Sequence, residues 1–88
     1  MGGITGIYTV FIETNNAIDL LRSFYTLKDA QEFMALKAEK LMYKGGEVLI
    51  EEQDHIGLLT YNRQYADLWI QKNTLSSLDY LITNNWLL

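Results

Sequence analysis

The stretch TLKDAQEFMALKAEKLMYKGG, Thr26 to Gly46, decides the fold class. Its opening has the form of a helix start. The Thr26 hydroxyl can accept from the backbone N–H three residues on, and Asp29 places negative charge beside the unpaired N–H groups of the first turn. Gly45 suits the left-handed position just past a helix end, so the spacing predicts a helix from Leu27 to Tyr43 or Lys44. At about 100° per residue, Leu27, Ala30, Met34, Ala38, Leu41 and Met42 form one stripe. Phe33, Leu36 and Tyr43 lie off it.

A helix with one apolar stripe requires one apolar surface to cover, and the flanking sequence supplies strands. On the N-terminal side, Ile7 to Thr14 is rich in β-branched and aromatic residues and apolar on both faces in its middle, as an interior strand is. Asn15-Asn16 tolerates the positive φ of a tight hairpin, and Ile18 to Tyr25 is the return strand. On the C-terminal side, Glu47 to Glu52 is a short strand with acidic ends, and Gln53 to Gly57 has the composition of a loop.

Residues 58–71 fit two patterns. Leu58 to Tyr61 and Tyr65 to Gln71 around Asn62-Arg63-Gln64 make a hairpin, whereas Leu58, Leu59, Tyr65, Ala66, Trp69 and Ile70 also match an amphipathic helix. The hairpin is preferred, because aromatic and β-branched residues favour strands and Gly57 is a poor helix opener. Asn73 or Thr74 can cap a last helix bearing Leu75, Leu78, Leu81 and Ile82. The expectation is a single α+β domain over residues 1–88, in ββ-α-βββ-α order. A largely antiparallel sheet carries the long helix on one face.

Composition narrows the function. An apolar fraction of 49% with 20% charged residues is that of a chain that folds, and the absence of cysteine excludes disulfides, thiolate metal sites and thiol nucleophiles. The apolar runs are too short for a signal sequence or membrane span, and Gly6 stands where N-myristoylation expects a hydroxyl. A cytoplasmic protein without membrane contact is expected. Over residues 1–46 the acids Glu13, Asp19, Asp29, Glu32 and Glu39 balance Arg22, Lys28, Lys37, Lys40 and Lys44. The net charge of −4 therefore lies in residues 47–88, where six acids face Arg63 and Lys72. Such a field repels phosphate and disfavours nucleic acid as a partner.

Reactive constellations are sparse. His55, the one histidine, sits among Glu51, Glu52 and Asp54, but adjacent strand residues such as Glu51 and Glu52 point to opposite faces, and the segment reads as a solvated acidic turn. Ser23, Ser76 and Ser77 lack a nucleophile elbow. Gly45-Gly46 follows a helix instead of preceding one and is no phosphate loop. No catalytic residue, metal or cofactor is expected.

What stands out is apolar surface in excess of one small core. Phe33, Leu36, Tyr43, Trp69 and Trp86, with the acids Glu51 and Glu52, are the candidate protein interface. The reading is a noncatalytic protein-binding module that adapts or inhibits a larger protein with a basic surface. It is expected to be a homodimer through its free sheet face or edge. Two alternatives are a nucleic-acid-binding protein using the basic residues of the first helix, and an acidic DNA-mimic inhibitor of phage or mobile-element type.

Overall fold

A computed structural model describes residues 6–74. Five strands and one helix follow in the order β1 (Gly6–Thr14), β2 (Ala17–Phe24), α1 (Leu27–Met42), β3 (Glu47–Glu52), β4 (His55–Leu59) and β5 (Tyr65–Thr74). All neighbouring strands are antiparallel, in the spatial order β2-β1-β5-β4-β3. The fold is therefore α+β, a five-stranded antiparallel sheet with one helix among the described residues. The expected C-terminal helix falls on residues 75–88, outside that range.

Local chemistry accounts for the first half. Asn15 and Asn16 both adopt positive φ, 49° and 66°, which closes a two-residue hairpin whose twist matches its strands. The Thr26 hydroxyl accepts from the Asp29 N–H at 3.2 Å, capping α1. Past Met42 the chain turns through Lys44 at φ 67° and Gly45 at φ 142°. A Cβ on Gly46 would collide with the Leu59 carbonyl and the Met42 backbone, so only glycine lets the chain leave the helix so close to β4.

The stripe on α1 lies on the sheet as its periodicity predicts. Ala30, Met34 and Ala38 are buried against Val10, Ile12, Ile56, Leu58, Ala66, Leu68 and Ile70, with Leu27, Leu41 and Met42 packed at the margin. The two alanines let the helix axis approach the strands closely. Phe33, expected on the outer flank, instead packs against Phe24, ring centroids 5.3 Å apart. A large ring just off the stripe reaches back over the strand beside it. Leu36 and Tyr43 do stay exposed.

Residues 58–71 form the hairpin, not the helix, but two boundaries differ from the sequence reading. His55, Ile56 and Gly57 belong to β4, and only Gln53-Asp54 turns. Ile56 pairs with Leu68 in the core, and this burial outweighs the loop-like composition around it. Asn73 and Thr74, expected to cap a helix, continue β5 opposite Ile7 and Gly6. Tertiary pairing with β1 overrides their capping preference.

Both edge strands carry a bulge. Leu21 is the extra residue of β2, between the pairs Val10–Arg22 and Phe11–Leu20, and Leu49 is that of β3, between Val48–Leu58 and Ile50–Gly57. Bulges and the acidic ends of β3 both oppose edge-to-edge pairing with another strand. The turn after β4 is tied down by Arg63, which donates to the Gly45 carbonyl at 3.1 Å and to Glu47 at 3.3 Å.

Leu58 and Leu68 are fully buried under α1. Truncating either to alanine is expected to lower the unfolding free energy in urea by about 2–5 kcal/mol, whereas Leu36→Ala on the outer helix face changes it by roughly 0.5 kcal/mol or less. Equal losses at all three positions would contradict this placement of the core.

Candidate functional site: the open face of the sheet

Strand alternation assigns each side chain to a face. The face turned away from α1 reads in rows across the strands. Leu20, Phe11, Trp69, His55 and Glu52 make the first row, from β2 to β3. Ile18, Glu13, Asp67, Gly57 and Ile50 make the next, and Tyr65, Leu59 and Glu47 a third.

The first row is aromatic at its centre. Phe11 and Trp69 are directly opposed on β1 and β5 and stack with centroids 5.5 Å apart and planes 15° from parallel. Beside them on the edge strand, Ile18 and Leu20 are 59% and 61% exposed. Exposed apolar side chains contiguous with a half-buried aromatic pair are the makings of a contact surface.

The second half of the face is a polar network built on His55. Its Nε2 lies 2.7 Å from Asp67 Oδ1, and its Nδ1 lies 3.3 Å from Glu52 Oε1. The Tyr65 hydroxyl donates to the same Asp67 oxygen at 2.9 Å. Gly57 makes this possible: a Cβ there would stand 2.9 Å from the Tyr65 hydroxyl and 3.2 Å from Asp67 Oδ1. The phenol thus lies across a glycine notch in β4. The hydrogen bond that Asp67 accepts, outweighing desolvation and aided by Glu52, raises the His55 imidazole above its ordinary 6.5. Donation to Asp67 likewise raises the Tyr65 phenol above 10.0.

With a carboxylate at each ring nitrogen, the protonated imidazolium satisfies both contacts, and a neutral ring leaves one lone pair facing an anion. The arrangement favours the protonated ring over the neutral one. No group of three or more metal-ligating side chains occurs among the described residues, and the Ser23 hydroxyl is engaged with Thr9 at 2.8 Å. Where the network meets the two hairpin turns, Glu13, Asn15, Asn16, Gln64, Tyr65 and Asp67 line a cleft of ≈ 370 Å³.

The residues expected at an interface are divided by the fold. Trp69 and Glu52 share the first row of the open face. Glu51, opposite Ile56, is on the helix side of the edge strand, Phe33 is packed on Phe24, and Leu36 and Tyr43 are on the outer helix. Trp86 lies outside the described residues. The solvated-turn reading of His55 is corrected, because it is a half-buried strand residue. Phe11, Ile18 and Leu20 were absent from the expected interface. Their only sequence signal is alternation along two strands, and the pairing of those strands is not written in any one of them.

A raised histidine pKa stabilises the fold fully below the unfolded value, and that contribution is lost as pH rises through the folded value. The stability advantage of the native protein over His55→Gln is therefore expected to be largest near pH 5–6 and to shrink by about pH 9, in urea unfolding at each pH. An advantage that grows with pH would contradict the network. Comparison with protein families, curated proteins and solved structures finds no match, so the function of this face rests on its own geometry.

Proposed function

We propose that the chain is a noncatalytic protein-binding module that works through the open face of its sheet. One observation carries the reading: the stacked Phe11–Trp69 pair, flanked by exposed Ile18 and Leu20, lies on the side away from α1. Aromatic anchors with an apolar surround and a polar rim are how protein interfaces concentrate their binding energy. The bulges on both edge strands and the acidic ends of β3 argue for the face over the edge as the contact.

The alternatives find less support. Asp29, Glu32 and Glu39 interleave with the lysines of α1, which breaks up any continuous basic surface for nucleic acid. Arg22 and Lys72 stand over the rings of Phe24 and Tyr8 on the helix side. A catalytic reading lacks a free base, since His55 is held at both nitrogens.

Selection of twelve-residue peptides displayed on phage against the full chain tests the site. Selected binders are expected to lose at least about tenfold in affinity to Leu20→Ser and Ile18→Ser, whose exposed side chains leave the fold intact, and less than about twofold to Leu36→Ser. Binders that depend on Leu36 and ignore Leu20 would move the working surface to the helix.

A further inference from the structure

The charge of the protein is divided between its two faces in a way that composition does not show. On the open face stand Glu13, Glu47, Glu52 and Asp67. Their only fixed cation among the described residues is Arg63, on Glu47, with His55 between Glu52 and Asp67. The lysines of α1, Arg22 and Lys72 all belong to the helix side, where Asp19, Asp29, Glu32, Glu39 and Glu51 offset them. Glu13 is directly opposite Asp67, like beside like, and makes no ion pair among the described residues. Cross-strand carboxylates of this kind repel each other until a cation arrives.

The acidic row also runs alongside the apolar one. Leu20, Phe11 and Trp69 lie across β2, β1 and β5, and Ile18, Glu13 and Asp67 lie across the same strands two residues further along. Two residues of strand separate the rows by about 6.6–6.8 Å, within an ångström or so of the roughly 5–6 Å between neighbouring side chains on an amphipathic helix. The Glu13–Asp67 cleft, lined further by Asn15, Asn16, Gln64 and Tyr65, opens at the end of that row.

We infer that the open face binds an amphipathic segment of another protein that lays apolar side chains on Leu20, Phe11 and Trp69 and places lysine or arginine at Glu13 and Asp67. This deepens the protein-binding reading and rests on it. A second copy of the chain fits less well, because two open faces would bring Glu13, Glu52 and Asp67 against their own kind. A basic segment instead relieves the carboxylate repulsion and covers the aromatic stack in one contact.

The probe is an acetylated fourteen-residue peptide of leucine, alanine and lysine, patterned as a helix with lysines flanking a leucine stripe. Two control peptides carry glutamate or glutamine in place of every lysine. Calorimetric titration into the full chain at low salt is expected to show the lysine peptide binding at least about tenfold tighter than either control. That preference should shrink several-fold at about 0.5 M salt and largely vanish in Glu13→Gln/Asp67→Asn. Leu20→Ser, which leaves both carboxylates in place, should weaken all binding while keeping the preference. Equal binding of the three peptides, or a preference that survives the double substitution, overturns the basic-segment assignment. So does self-association that Leu20→Ser abolishes. Phage-selected binders that still require Leu20 and Ile18 would in any of those cases leave the open face as the binding surface, which separates the two readings.

Discussion

The insertion of β5 between β1 and β4 is the interaction on which everything else depends. The first hairpin and the β3–β4 hairpin are each local, and neither has a partner for its inner edge until the last strand arrives. β5 pairs with β1 from Gly6–Thr74 to Thr14–Ala66 and with β4 from His55–Trp69 to Leu59–Tyr65. That one act completes the sheet, gives α1 a continuous apolar floor, and sets Trp69 on Phe11 and Asp67 on His55. Antiparallel pairing across such a separation closes a long loop before any contact offsets its entropy, so the core and the open face form together.

The two faces of β5 do different work. Ala66, Leu68 and Ile70 turn to the helix and vanish into the core, while Tyr65, Asp67 and Trp69 turn away and hold the aromatic stack and the polar network. A register slip of one residue would exchange the two sets, burying Asp67 and exposing Leu68. The core is thus what specifies which side chains stand on the open face. Gly57 adds a local device, since the absent side chain on β4 leaves room for the Tyr65 phenol to reach Asp67.

The His55 network resembles a catalytic arrangement in its residue types but differs in its electrostatics. A general base needs one ring nitrogen free to take a proton, and here carboxylates hold both. When protonated, the ring places a positive charge between Asp67 and Glu52, tempering their mutual repulsion without extending to Glu13. Apolar row, acidic row and the His55 network together give the face a chemical direction from β2 toward β3. No helix of the described residues is long and apolar enough to cross a membrane.

The elements legible in the sequence are those whose determinants are local. Thr26 and Asp29 mark the start of α1, its stripe repeats within each turn, and Asn15-Asn16 closes a hairpin between neighbours in the chain. Where sequence reading failed, distant partners decided. His55 to Gly57 has loop composition but is held in β4 by Leu68 and Trp69, and Asn73-Thr74 has capping composition but is held in β5 by Gly6 and Ile7. The expected interface was legible only as a surplus of apolar and acidic residues. Tertiary pairing alone decided that Trp69 and Glu52 share a surface with Phe11, Leu20 and Glu13, and that Phe33 does not. A turn or a helix stripe is specified by residues within a few positions of one another, whereas a sheet face is specified by register between strands, which exists only once the chain has closed on itself.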